Sequence, residues 1–254
     1  MAMLQDKVAI VTGASAGIGK AAALLFAREG AAVVAVARGA QALARVVEQI
    51  ENDGGRAAAV VGDVAEEATA AAAVDAAIAR FGRLDVAFNN AGTLGEMGAT
   101  PEVSVAGWRQ TLEINLTGAF LAARQQIPAM LRGGGGALIF TSTFVGHTAG
   151  FPGVAAYAAS KAGVVGLVQA LAAEFGPRGL RVNALLPGGT DTAMARSMNP
   201  TPEAMAQVAA LHALKRVAAP EEIARAALFL ASEGASFVTG TALLADGGVS
   251  INRT

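Results

Sequence analysis

The sequence predicts a doubly wound α/β fold, a parallel sheet of about seven strands with helices on both faces. Three observations carry that reading. Short runs that are apolar at every position alternate with longer stretches of helical period. A glycine-rich turn joins the first run to the first helix, and 54% of the 254 residues are hydrophobic against 15% charged. A strand covered on both sides has no solvent face, so it shows an unbroken apolar run rather than alternation. Right-handed crossovers then leave a doubly wound open sheet as the natural topology.

Val8–Thr12 reads as a buried strand and Ile18–Glu29 as a helix, which Gly30 stops because the residue past a helix end often needs positive φ. Ala32–Ala37 is a second strand and Leu43–Asn52 a second helix; Ala57–Val61, Glu66–Phe81 and Val86–Phe88 continue the alternation. One long helix is expected from Ser104 to Leu131, then a glycine turn, Gly133–Gly136, and the strand Ala137–Thr141. Helix Tyr157–Phe175 leads to strand Val182–Leu186, and helix Glu221–Ala231 to a last strand near Leu243–Ala245. Residues 190–213 fit neither a strand nor a short connector, and read as a mobile lid over a binding site. The expectation is one catalytic domain over residues 1–254.

Charge and residue counts narrow the function. With 19 basic and 20 acidic residues the net charge is −1, so no basic field draws nucleic acid or an anionic lipid surface. Cys is absent, which excludes disulfides, thiolate metal sites and a cysteine nucleophile. Two His, His147 and His212, are too few for a His-rich metal cage, so no metal is expected. The opening residues lack the pattern of a signal peptide, and apolar runs break well before about 18 residues. A cytoplasmic protein with no membrane span is therefore expected.

The stretch Thr12-Gly13-Ala14-Ser15-Ala16-Gly17-Ile18-Gly19 lies directly between the first strand and the first helix. There Gly13 permits a tight turn, Gly17 lets the backbone approach a diphosphate, and Gly19 lets the helix pack closely. The helix N-terminus, with Ser15 and Ile18 beside it, offers N–H groups and a positive dipole end to phosphates. This is a Rossmann-like dinucleotide site. An acid at the end of the second strand would hold the ribose hydroxyls of NAD; here Ala37 is followed by Arg38, whose guanidinium suits the 2′-phosphate of NADP. NADP is the expected cofactor, with NAD the alternative. Asp63, followed by Val64 at the end of the third strand, is placed to hydrogen-bond the adenine, and equally to cap the next helix.

Tyr157, the only Tyr, and Lys161 lie four apart at the start of a predicted helix, hence on one face. A phenol can give a proton to a developing alkoxide or take one from an alcohol. Its pKa must fall from about 10 to about 7 for it to act as a base at neutral pH, a change worth about 4 kcal/mol. An adjacent ammonium favours the phenolate, and Lys161 would supply one.

With these residues in view, the chain resembles the short-chain dehydrogenase/reductase family of one-domain type. The matching elements are Thr12–Gly19, Asn89-Asn90-Ala91-Gly92, Asn115, Thr141-Ser142-Thr143, Tyr157–Lys161, Pro187-Gly188 and Asp246-Gly247-Gly248. They run in the family's order and cover essentially the whole chain. The resemblance implies that Tyr157 is the general acid/base, and that Lys161 binds nicotinamide-ribose hydroxyls and lowers the Tyr pKa. It implies that Asn115 holds a water of the proton relay through its backbone, and that Asn90, Ala91 and Gly92 pass beneath the cofactor ribose. Pro187, Gly188, Thr190 and Thr192 match the segment that contacts the nicotinamide carboxamide. Helix Tyr157–Phe175 and the long helix before it would pack against symmetry copies in a homotetramer.

One departure stands out. An ungapped match of the fifth strand puts Thr143, not Ser142, at the family's catalytic Ser position. Thr143 keeps the hydroxyl that would polarise a carbonyl, though its methyl restricts χ1. Ser142 takes the role if the strand bulges, since adjacent strand residues otherwise face opposite ways. His147, in the loop just after, is either a substrate contact or a solvated residue.

The lid carries Met194, Met198, Met205, Val208 and Leu211, and between Met194 and His212 its charged residues are Arg196 and Glu203. Such a surface suits an uncharged, fairly hydrophobic substrate, or else covers the core. Nothing resembles a specific acyl-carrier or sugar site. The lead reading is an NADP(H)-dependent oxidoreductase that interconverts a ketone or aldehyde and an alcohol by hydride transfer. The alternatives are a non-catalytic NADP-binding redox sensor and a nucleotide-sugar epimerase or dehydratase.

Overall fold

In the computed structural model, which describes residues 2–252, seven strands among the described residues form one sheet in the order β3-β2-β1-β4-β5-β6-β7. Every neighbouring pair is parallel. In chain order the elements are β1 (Val8–Thr12), α1 (Gly17–Arg28), β2 (Ala32–Ala37), α2 (Ala40–Asn52), β3 (Arg56–Val61), α3 (Glu67–Phe81) and β4 (Val86–Asn89). Then come α4 (Val105–Leu112), a π-helical turn (Glu113–Thr117), α5 (Gly118–Arg132), β5 (Gly136–Thr141), α6 (Ala155–Phe175) and β6 (Leu180–Pro187). The chain closes with α7 (Ala193–Met198), α8 (Pro202–Leu211), α9 (Pro220–Ala231) and β7 (Ala242–Ala245). The strand order reverses between β1 and β4, and the crevice at the carboxyl ends of those strands is where such sheets hold ligands.

Two apolar layers sandwich the sheet. On one face Phe26 of α1, Leu43, Val46 and Ile50 of α2, and Ile223 and Ala227 of α9 pack with Ala9, Val11, Val33 and Ala35. On the other, Ala73 and Ala77 of α3, Ile127 and Met130 of α5, and Val164 and Val168 of α6 pack with Val8, Ile10, Val34 and Phe140. Alternate residues of one strand feed opposite layers, which is why β1 and β2 are apolar throughout.

Several elements differ from the sequence expectation at their ends. α2 starts one turn earlier than Leu43, because the extended Gly39 leaves Ala40 free to open the helix. α6 starts at Ala155, so Tyr157 sits inside its first turn rather than at its end. The single helix expected over Ser104–Leu131 is interrupted by the π turn, with Ser104 as its N-cap through the Gly107 N–H at 2.9 Å. The segment 190–213 holds two short helices, capped by Thr192 on Ala195 and by Thr201 on Ala204. One helical stretch, Ala155–Arg178, is by length and composition long and apolar enough to cross a membrane, contrary to the sequence expectation. Its apolar content serves the sheet instead: Val164, Val165, Val168 and Ala172 are buried in the second layer.

Candidate active site

At the end of β1 the chain turns at Gly13 (φ +68°), and the Ala14 N–H is held by the Val36 carbonyl at 3.1 Å. α1 begins at Gly17 with no capping side chain and no acid in its first turn. Its leading N–H groups therefore have neither a side-chain acceptor nor a competing charge, which suits an anion. A Cβ on Gly19 would run into the Gly13 carbonyl, so this glycine packs the helix onto the loop itself. Ser15 and Ile18 flank the turn, both part-buried. A Cβ on Gly17 would lie 3.1 Å from Thr192 Cγ2, so the segment after β6 crosses close over the loop. An uncapped, acid-free helix start beside a bare glycine backbone fits the diphosphate of a dinucleotide.

Toward the expected adenosine end, Arg38 follows β2 and Asp63 follows β3, neighbours in the sheet. Arg38 Nη1 lies 3.7 Å from Asp63 Oδ2, with the Arg38 side chain 77% exposed. The other Asp63 oxygen accepts the Ala65 N–H at 3.1 Å, which shapes the turn into α3, whose N-cap is Glu66. Val64 lines a cavity shared with Ala91, Asn115, Thr141 and Lys161.

The switch point is stitched by Thr12, whose Oγ1 accepts the N–H groups of Asn90 (2.9 Å) and Ala91 (3.0 Å). Asn90 Oδ1 in turn accepts from Thr141 Oγ1 at 3.2 Å. Gly92 lies against the reacting centre: a Cβ there would be 3.0 Å from Asn115 Oδ1 and 3.1 Å from Lys161 Nζ. Asn115, buried in the π turn, donates to the Thr93 carbonyl (2.8 Å) and to Ser160 Oγ (3.0 Å), and accepts the Thr93 N–H (2.8 Å). Ser160 passes the link on to the Tyr157 carbonyl at 2.8 Å. Sequence reasoning took Thr12 only as the start of the glycine motif and missed Thr93 and Ser160 as site residues, because a lone Thr or Ser carries no pattern until its partner is brought to it.

Lys161 is buried, and its Nζ donates to the Thr141 carbonyl at 2.7 Å. Burial lowers its pKa to about 8. Burial raises the pKa of the Tyr157 phenol, and the Thr143 hydroxyl beside it offsets part of that rise. In the chain alone desolvation is the larger influence on the phenol, and the Lys161 ammonium is turned to the Thr141 carbonyl. Ser142 points elsewhere, its hydroxyl donating to the Lys161 carbonyl at 2.8 Å.

Beyond β6, the Gly188 N–H is held by the Ala245 carbonyl (3.1 Å) and Thr190 Oγ1 donates to the Gly188 carbonyl (3.0 Å). Pro187, Gly188, Thr190 and Thr192 thus form one path from the sheet end to the glycine loop. His147 is exposed on the turn after Thr143. α7 and α8 bury none of their residues, so Met194, Met198 and Leu211 are not part of the core.

Fold and site together define a dinucleotide-dependent oxidoreductase built on a doubly wound sheet. Residues 13–250 match the family model described as enoyl-(acyl carrier protein) reductase. The chain is 40% identical over 242 residues to the cyclohexanol dehydrogenase of Acinetobacter sp. (strain SE19), covering 95% of this chain and 94% of that one. It superposes on the carveol dehydrogenase of Mycobacterium avium in complex with NAD at a TM-score of 0.94 and 30% identity, over 99% of this chain and 100% of that one. A candidate gluconate 5-dehydrogenase from Beutenbergia cavernae, with NADP bound at low occupancy, gives a TM-score of 0.91 at 40% identity, over 98% of each chain. The chain belongs to the short-chain dehydrogenase/reductase family, and it is an oxidoreductase that uses a nicotinamide cofactor.

Proposed function

We propose that the protein interconverts a secondary alcohol and its ketone with NADP(H), and that Tyr157 is the general acid/base. The observation that carries this is the buried Lys161 one helical turn from Tyr157 on the same face of α6, with the Thr143 hydroxyl beside the phenol. The nicotinamide, when bound, supplies or takes the hydride. Tyr157, whose pKa burial raises, is a phenol at neutral pH and so stands ready to protonate a developing alkoxide. Thr143 donates a second hydrogen bond to that oxygen, and the Lys161 ammonium offsets the charge left on the phenolate. Asn115 fixes Thr93 and Ser160 and so the pitch of α6 beneath Tyr157; with both its amide protons engaged, a relay water would sit on its backbone.

The substrate class we propose is an uncharged, apolar, cyclic alcohol or ketone. Met194, Met198 and Leu211 are 40–46% exposed on helices that bury nothing, a surface that adapts to varied apolar shapes. The relatives named for cyclohexanol and carveol point the same way. Arg38 favours NADP over NAD, although its ion pair with Asp63 tempers the preference. A homotetramer is also proposed. Phe120 is half exposed beside the groove between α5 and α6, and α6 presents Ala159, Ala162, Gly166 and Ala170 outward.

The test is oxidation of NADPH and NADH by the purified protein with cyclohexanone, larger cyclic ketones and charged keto acids, followed at the nicotinamide absorbance band. Turnover of the neutral cyclic ketones is expected. Tight cofactor binding without turnover of any carbonyl would establish a sensor instead.

A further inference from the structure

His212 follows α8 directly, is 2% exposed, and has no part in the chemistry above. Its two ring nitrogens face unlike partners. Nδ1 lies 2.8 Å from the Val208 carbonyl, which accepts, and Nε2 lies 2.9 Å from the Gly189 N–H, which donates. One protonation state satisfies both, the neutral ring with its proton on Nδ1. The ring also lies close against two residues without side chains. A Cβ on Gly189 would come 2.8 Å from its Cε1, and one on Gly247 would come 3.3 Å from its Cδ2.

The N–H that His212 accepts belongs to the Gly188–Gly189 peptide. The carbonyl of that same peptide accepts from Thr190 Oγ1 at 3.0 Å. A trans peptide is planar, with its N–H and C=O on opposite edges, so fixing one edge orients the other. The flanking groups tie the peptide to the sheet end and to the start of α9: Gly188 N–H to Ala245 (3.1 Å), and the Gly189 carbonyl to the Ala218 N–H (2.8 Å). His212 joins it to α8, one of the helices beside the cleft.

This peptide directly follows β6, whose Leu185 pairs with Thr141 at the end of β5, beside Lys161 and Thr143. The glycine loop takes the diphosphate at β1, and Arg38 and Asp63 mark the ends of β2 and β3. The reacting half of a dinucleotide lying across the strand ends therefore falls over β4 to β6. We infer that His212 is a positioning residue: its neutral ring locks the Gly188–Gly189 peptide to α8 and so sets the surface against which the nicotinamide half of the cofactor rests. The inference rests on the dinucleotide reading of the cleft.

Calorimetric binding of NADP and of 2′-phospho-ADP-ribose, the same molecule without its nicotinamide, tests it on wild type, His212→Phe and His212→Gln. His212→Phe should weaken NADP about tenfold or more, because the Gly189 N–H loses its acceptor, while the fragment changes less than about twofold. His212→Gln, which keeps one donor and one acceptor, should recover most of the NADP affinity. Gly189→Ala, which leaves His212 in the chain but crowds its ring, should reproduce the split, and decides the matter if His212→Phe does not fold. Equal weakening of NADP and fragment, or no weakening of either, would overturn the inference and leave the dinucleotide site standing. Failure of wild type to bind either ligand would overturn that reading, and the inference with it.

Discussion

The Thr143 hydroxyl lies beside the Tyr157 phenol, while Ser142, one residue earlier, turns its hydroxyl to the Lys161 carbonyl 2.8 Å away. Two adjacent hydroxyls thus face different partners, one the Tyr157 phenol and the other the backbone of α6. Thr143→Val should lower kcat about 100-fold, the scale of losing one oxyanion donor, and Thr143→Ser should restore most of it. Ser142→Ala should leave kcat within about threefold and cost about 1 kcal/mol of stability, read by urea unfolding. The reverse pattern would move the polarising role to Ser142.

Tyr157→Phe deletes the hydroxyl we propose transfers the proton, and nothing else. Turnover should fall about 10²–10⁴-fold with the Kd for NADP nearly unchanged, since the phosphate and ribose contacts lie elsewhere. A variant that kept more than about a tenth of wild-type kcat would remove Tyr157 from the chemistry.

The buried Lys161 gives up its proton at about pH 8. Above that pH the ammonium no longer offsets a phenolate, so kcat/KM for ketone reduction should decline. Folding responds in the opposite sense. Between about 8 and 10.5 the unfolded chain carries a proton on this lysine that the native state has lost, so the Lys161 contribution to stability rises with pH. Lys161→Met should abolish turnover and flatten that part of the stability profile, as read by urea midpoints from pH 7 to 10.

Arg38 is exposed and partly neutralised by Asp63 at 3.7 Å, so its preference for NADP over NAD should be modest, about tenfold in Kd. Asp63→Asn should increase the preference by freeing the guanidinium and removing a charge that repels a 2′-phosphate. Ala37→Asp combined with Arg38→Leu should reverse it. Titrating both cofactors at physiological salt checks all three; equal wild-type affinities would make Arg38 a surface charge.

Light scattering at micromolar concentration should give a tetramer. Introducing a charge on the small-residue face of α6, as in Gly166→Glu, should shift the mass downward while leaving the helix and its buried residues in place. A monomeric wild type would dismiss the assembly without touching the catalytic assignment.

Much of this protein was legible in the sequence because the signals are local. An apolar run of five or six residues, a glycine at each step of the first βα turn, and a Tyr and Lys at helical spacing all report on backbone geometry within a few residues. They fix strand, turn and shared helix face without knowledge of the rest of the chain. That is why β1, β2, the glycine loop and the Tyr157–Lys161 face stand where they were expected. Hydrogen bonds between distant residues leave no such trace. Whether Ser142 or Thr143 meets Tyr157 depends on how the end of β5 faces α6, and both are hydroxyls in adjoining positions. Arg38 meets Asp63 because β2 and β3 are neighbours in register, with 24 residues of chain between them. Asn115 turns inward at a π-helical turn that no propensity marks, and His212 reaches Gly189 through the folding of residues 190–213. Each of these pairs owes its geometry to the packing of whole elements, so the tertiary structure alone decided them.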